Sequence, residues 1–365
     1  RPTFPPASRR RLLVQQRSGR LFGLRQFSLI ATILFIAFSA PWPLVPAGMS
    51  VQAATFTVTP SEVVLVGRFA RTQVLVAERV EGVPAERGGD LTTSATYGSS
   101  NEAIFQVNDG GVIAPLADGE ANLTVTVGAE TQEIPVRVTG IAVSVPVDFA
   151  TQVRPVISKA GCNMGACHAA QHGKGGFKLS VFGFDPENDH KAITRDHVQR
   201  RVNFLDPARS LFVQKPTMQV PHGGGLRLRA GSNDHELLLA WLAQGASGMD
   251  KDAPTVTQLD VLPKRRVSTP DETQQLRVVA SYSDGSSRDV TAWCKFDSSD
   301  DGVVAVTTDG KATAVGRGQA NVMARFEGHA QITMFVIPYA DSIELAGWEN
   351  KNFVDELAAN KFRDR

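Results

Sequence analysis

Two thiols and an imidazole fall within seven residues of this sequence: Cys162 and Cys167, with His168 directly after the second. Two thiols can add across the two vinyl groups on one edge of a porphyrin while the following histidine reaches beneath the ring to bind iron, which is c-type haem attachment. They can instead close a disulfide, which suits an exported protein, or work as a redox-active pair. A zinc site needs further ligands at matching spacing, and there is no second cysteine pair, Cys294 being the one other cysteine. The usual haem spacing leaves two residues between the cysteines; here there are four, which is workable but less diagnostic. On these residues alone the haem, disulfide and metal readings all stay open.

The elements that must position this set are partly legible. Phe149, Val153 and Ile157 recur at helical spacing ahead of it, with Pro155 confined to a first turn or a kink. After it come Gly175-Gly176-Phe177-Lys178-Leu179-Ser180-Val181-Phe182-Gly183-Phe184-Asp185-Pro186-Glu187, Arg200-Arg201-Val202-Asn203, Lys215-Pro216-Thr217 and Pro221-His222-Gly223-Gly224-Gly225. A closing helix is predicted from Ser232, as N-cap, to Gln244, its Leu238, Trp241 and Leu242 forming an apolar stripe. In order, these motifs resemble the cytochrome c-like domain of large planctomycete proteins, over about residues 147–247. The tail Asn352-Phe353-Val354-Asp355-Glu356-Leu357 resembles the start of the domain of unknown function that follows in that family, so residues 339–365 are read as the beginning of a truncated helical domain.

That resemblance implies a mainly α, cytochrome c-like haem domain with haem c as its iron cofactor. It makes Cys162 and Cys167 the thioether positions and His168 the proximal ligand. For the distal ligand His222 is the first choice, since its glycines allow the backbone close to a porphyrin; Met218 is the alternative and would raise the potential, and an open site is the third option. A backbone-bonded turn histidine and simple core packing are the plain readings of His222 and Met218. His172 and His190 are expected to be exposed, and His197 sits among arginines. His235 falls on the closing helix and His329 in a β-rich module. Arg195, Arg200 and Arg201 could pair haem propionates, although a solvated basic face is the favoured reading of them.

Around this segment the sequence repeats. Gly89-Asp90-Leu91-Thr92 recurs as Arg288-Asp289-Val290-Thr291, and at the same offset Tyr97 matches Phe296, Ser99-Ser100 match Ser298-Ser299, Gly111 matches Gly310 and Gly119-Glu120-Ala121-Asn122 match Gly318-Gln319-Ala320-Asn321. Short period-two runs such as Val63-Val64-Leu65-Val66 and Leu123-Val125-Val127 predict a β-sandwich in each copy. The pattern resembles the group 2 bacterial immunoglobulin-like family, over residues 55–140 and 254–338, and implies extracytoplasmic spacer or adhesive modules. Cys294 takes the place of Ala95 and reads as a small buried side chain. The expected fold class is thus multidomain: two all-β immunoglobulin-like sandwiches flanking a mainly α haem domain.

Composition sets the wider frame. The 365 residues are 42% hydrophobic and 21% charged with net charge +1, a balance that argues against a nucleic-acid partner. Arg9, Arg10, Arg11, Arg17, Arg20 and Arg25 precede an apolar stretch from Phe27 to Ala40, and Val51-Gln52-Ala53 offers small residues for cleavage. Residues 1–54 therefore read as an export signal, with a faint twin-arginine likeness at Ser8-Arg9-Arg10-Arg11 and an uncleaved anchor as the sole membrane link. The expected location is periplasmic or at the cell surface. Three functions follow: electron transfer through one haem c, with no redox partner identifiable; a surface adhesive protein binding protein or carbohydrate; and a haem enzyme with an open distal site, for which no catalytic acid–base group is evident.

Overall fold

The computed structural model describes residues 55–363 apart from 144, 251 and 341–343, so the basic leader and its cleavage-like site lie outside the described residues. The first module runs through β1 (Phe56–Thr59), β2 (Val63–Val66), β3 (Thr72–Gln73), β4 (Leu75–Glu78), β5 (Thr96–Ser99), β6 (Phe105–Val107), β7 (Val112–Pro115), β8 (Gly119–Val127) and β9 (Glu130–Thr139). Its sheets have the orders β2-β9-β8-β5, β3-β7-β6 and β1-β4. Alternation builds its core: Val63 and Leu65 are buried while Val64 and Val66 between and beside them are exposed. Phe56, Leu65, Phe105, Ile113, Leu123 and Val136 form one apolar cluster.

Four helices follow: α1 (Arg154–Lys159), α2 (Pro186–Thr194), α3 (Leu211–Gln214) and α4 (Asn233–Ala243). The second module consists of β10 (Val256–Leu262), β11 (Arg265–Val267), β12 (Thr273–Gln275), β13 (Arg277–Tyr282), β14 (Ser287–Asp289), β15 (Lys295–Ser298), β16 (Val304–Val306), β17 (Lys311–Ala314), β18 (Gly318–Phe326) and β19 (His329–Ile337), and α5 (Phe353–Arg363) ends the chain's described part. Its orders β11-β19-β18-β15 and β12-β17-β16 reproduce those of the first module, and β10-β13-β14 adds one strand to the two-stranded ribbon. In both modules the strand that enters the four-stranded sheet at its edge pairs in parallel with the last strand.

The expectation of a mainly α, cytochrome c-like centre is corrected here. Strand makes up 32% of the structure against 20% helix. Between the modules the four α-helices hold six, nine, four and eleven residues, and the remaining backbone is turns, loops and single turns of tighter or wider helix. Glycines and prolines explain this. Gly173, Gly175 and Gly176 all take positive φ, and Pro186 and Pro207 sit where helical stretches begin. Apolar anchors therefore come from loops as well as helices: Leu179 and Leu228 are buried beside Phe149, Ile193, Leu237 and Trp241 in a cluster that runs on into Leu259, Val278 and Phe335 of the second module.

The repeated motifs have definite structural roles. Asp90 Oδ1 accepts from Thr92 N at 3.0 Å, and Asp289 Oδ1 accepts from Thr291 N at 3.0 Å. The other carboxylate oxygen in each case reaches across to the opposite module. Asp289 Oδ2 accepts from Gln73 N at 3.1 Å, and Asp90 Oδ2 accepts from Gln275 N at 2.6 Å. Each acceptor thus covers an amide on the strand edge of the other copy. The junction is reciprocal, as between the subunits of an isologous dimer, but inside one chain. Buried Arg266 adds to it, donating to the carbonyls of Glu86 and Gly88 and pairing with Glu272.

Candidate functional site

Helix α1 delivers the two thiols. Asp148 caps the turn that precedes it, accepting from Thr151 N at 2.6 Å, and Pro155 occupies its first turn. Gly161, at φ +75°, ends it in the left-handed conformation that glycine adopts without strain. Cys162 N then bonds Ile157 O at 3.1 Å and His168 N returns to Cys162 O at 3.0 Å, so the short loop folds back on itself. Cys162, Cys167 and Cys294 are all free thiols. Enclosure by protein pushes the Cys162 thiol up to about 11, against a smaller lowering from nearby Arg227, which keeps it protonated at neutral pH. Cys294 is fully buried in the second module.

Cys162, Cys167, His168 and His222 line one cavity of about 300 Å³. The two imidazoles lie 54 residues apart in sequence, yet their ring centres are 6.3 Å apart and their planes are within 14° of parallel. His168 Nδ1 sits 3.1 Å from Phe177 O, and His222 Nδ1 sits 2.9 Å from Gly225 O. A carbonyl can only accept, so each Nδ1 donates its proton in these bonds, and in the neutral form of such a ring the lone pair lies on Nε2. This is the arrangement that orients a metal-binding histidine. Burial lowers the His168 pKa, with the approach of His222 and Arg201 adding to the effect and the Phe177 carbonyl opposing it, so the ring is held neutral.

Two glycines make this geometry feasible. A side chain at Gly224 would come within 2.8 Å of the His222 ring, and one at Gly173 within 2.1 Å of the Phe177 carbonyl that orients His168. Phe177 also packs its ring 4.6 Å from that of His168 and lies beneath the Arg201 guanidinium at 4.5 Å. Among the described residues no three His, Cys, Asp or Glu converge to hold a bare metal ion. With two thiols and aromatic Phe177 and Phe212 on the same walls, the residues present fit a haem.

The other sequence candidates are dispersed. Met218 is 48% exposed in a left-handed turn and does not line the cavity. His190 departs from the expectation of exposure: its ring packs edge-on against Phe149 and Trp241, and its Nε2 bonds Ala246 O at 2.8 Å. His172 is exposed, whereas buried His235 accepts from Gly231 N through Nδ1 at 3.2 Å. Arg200, Arg201 and His197 reach the cavity wall, and Arg195 does not. Phe177, Lys174 and Arg227 were not singled out from the sequence. Their one signal was position, in the glycine-rich runs beside His168 and His222.

Residues 255–326 match the family described as bacterial Ig-like domain (group 2). That match covers β10 to β18 of the second module and lies outside the cavity. No curated protein matches the chain. Among solved structures, domains 5–6 of the S-layer protein SbsC align at 12% identity over 78% of this chain and 97% of that one, with a TM-score of 0.31. Domains 4 and 5 of SbsC align at 11% identity over 78% and 96%, with a TM-score of 0.21. Invasin, a bacterial integrin-binding protein, aligns at 12% identity over 78% and 59%, with a TM-score of 0.16. With scores this low, none of the three bears on the arrangement or the role of this chain. Among the described residues no helix is long and apolar enough to cross a membrane.

Proposed function

We propose that this chain is an exported, immunoglobulin-like scaffold protein that carries one covalent haem c in the cavity between its modules and passes electrons through it. The observation that carries the reading is the pair His168 and His222, near-parallel, 6.3 Å apart and each bonded to a carbonyl through Nδ1. A bound haem c would supply one-electron exchange at its iron. The chain's own part is attachment and positioning. Cys162 and Cys167 would each add S–H across a vinyl group, the sulfur going to one carbon and the hydrogen to the other, with no oxidant required. His168 and His222 would hold the group through their ring nitrogens, and their carbonyl partners Phe177 and Gly225 would keep both rings oriented. Two histidines available to hold the iron would favour electron transfer over chemistry on a small oxidant.

The test is an optical spectrum of the chain after export with the c-type maturation machinery, taken denatured in pyridine and dithionite. A c-type band that stays with the polypeptide and disappears in Cys162→Ala/Cys167→Ala is expected. Native spectra should change in His222→Ala and stay as they are in Met218→Ala. A colourless chain would refute the haem reading.

A second reading is favoured by the family match to bacterial Ig-like domain (group 2): a cell-surface protein whose modules bind a protein or carbohydrate, without redox work. The family match taken alone leans this way. Haem incorporation separates the two readings, because adhesion has no need of it.

A further inference from the structure

The cavity has a charged wall that thiols and imidazoles leave unused. Lys174, Arg200, Arg201, Lys215 and Arg227 line it, and no Asp or Glu does. This is a local concentration: residues 147–247 hold twelve Lys and Arg against eight Asp and Glu, whereas residues 55–140 hold five against eleven. Three of the five cations are held in place by carbonyls. Arg201 Nη1 donates to Ala192 O at 2.9 Å, Arg227 Nε to Gly224 O at 2.7 Å and Lys215 Nζ to Pro221 O at 3.2 Å. The side chains of Lys174 and Arg200 are exposed and make no hydrogen bond among the described residues.

Cations gathered around a concave, partly apolar wall repel one another and focus a positive potential into it. A neutral ligand would leave that repulsion in place, whereas carboxylates would relieve it and gain charge-assisted hydrogen bonds. We infer that this wall receives the two carboxylates of a planar dianionic ligand, with Lys174 and Arg200 as the side chains free to close on them. The inference rests on the haem reading and adds to it the edge of the ligand that must face this wall. Arg201, stacked on Phe177 and anchored to the backbone, acts as the fixed part of the wall.

The full chain, made without the maturation machinery, would be titrated with iron mesoporphyrin IX and with its dimethyl ester, following the Soret band. Ethyl groups replace the vinyls in this porphyrin, so no thioether forms and both titrations report reversible binding. The diacid should bind about tenfold more tightly than the ester at low salt, as two partly exposed ion pairs allow, and added salt should narrow the gap. In Lys174→Gln/Arg200→Gln the diacid should fall to the level of the ester while its bound spectrum stays unchanged. Equal affinities for diacid and ester in the unaltered chain, or a preference that survives the double substitution, would overturn the inference and leave the haem reading standing. Failure of both porphyrins to bind would overturn the haem reading and this inference with it.

Discussion

Replacing Asp289 by alanine tests the reciprocal junction between the two β-modules. The Asp289 side chain is 2% exposed and its partner Arg277 is 11% exposed. Its Oδ2 accepts from Arg277 Nε at 2.8 Å and from Gln73 N at 3.1 Å, and its Oδ1 from Thr291 N at 3.0 Å. Alanine leaves a buried guanidinium and two backbone amides without acceptors, and removing one partner of a buried pair costs about 3–5 kcal/mol. Asp90 is the equivalent in the other copy, but it is only half-buried and its acceptors serve Gln275 N and the backbone and hydroxyl of Thr92. With no guanidinium stranded, Asp90→Ala should cost about 1–2 kcal/mol. Urea denaturation of the full chain gives the two costs, and amide hydrogen exchange gives their location. Asp289→Ala should lower protection at Gln73, more than 200 residues away, and Asp90→Ala should lower it at Gln275. Unchanged protection of Gln73 in a folded Asp289→Ala chain, or an Asp90→Ala cost as large as that of Asp289→Ala, would refute the reciprocal junction.

Two further outcomes follow from the central segment. Trp241 is fully buried, packs against Phe149, Phe212 and His190, and donates Nε1–H to Ser247 O at 2.9 Å; Trp241→Ala should cost about 3–5 kcal/mol in a denaturation series. Gly173→Ala should cost at least about 2 kcal/mol by thermal unfolding, because φ there is +66° and the new Cβ would strike the Phe177 carbonyl; Gly175→Ala, at the same φ with nothing within 4 Å, should cost only about 1 kcal/mol.

The β-modules were legible because each repeated residue has a partner inside its own repeat. The side chain of Tyr97 or Phe296 lies over the glycine at 111 or 310, where a Cβ would come within 2.9 Å of the Tyr97 hydroxyl or 2.8 Å of the Phe296 ring. The serine of each Ser-Ser pair accepts from the asparagine of each Gly-x-Ala-Asn, Ser100 Oγ from Asn122 N at 2.8 Å and Ser299 Oγ from Asn321 N at 2.9 Å. Such contacts recur at fixed spacing and so show in one sequence. That the repeated aspartates join one copy to the other did not show, since spacing within a repeat says nothing of docking between repeats. The centre was misjudged in class because the α expectation came from resemblance, while its glycines and prolines limit helices to short pieces. The nearness of His222 to His168 depends on the chain between them, whose reversals at Gly173, Gly175 and Gly176, all at positive φ, fix no distance until the loops are packed. His190 was misplaced for a similar reason: its polar neighbours in sequence hide an aromatic pocket supplied from Phe149 and Trp241.

The cavity is built on a firm mount, and this bears on which chemistry it can support. Arg71 Nη2 donates to Asn233 Oδ1 at 2.5 Å from the first module, Lys159 Nζ donates to Ala292 O at 2.6 Å in the second, and Arg154 forms a partly buried ion pair with Glu327. The apolar core passes without a break from Phe149 and Trp241 into the second module. Each histidine is held in addition by its own carbonyl partner, His168 by Phe177 and His222 by Gly225. For His222 to give up such a position, its bond to Gly225 O must break. An oxidant-consuming site needs such a vacancy, whereas electron exchange gains from ligands that stay put in both oxidation states. The third functional expectation, a haem enzyme with an open distal site, therefore runs against the feature that best supports haem here. Binding of carbon monoxide to the reduced protein decides the point: slow or absent binding that becomes rapid in His222→Ala is expected, and rapid binding in the unaltered chain would return the site to the enzyme reading.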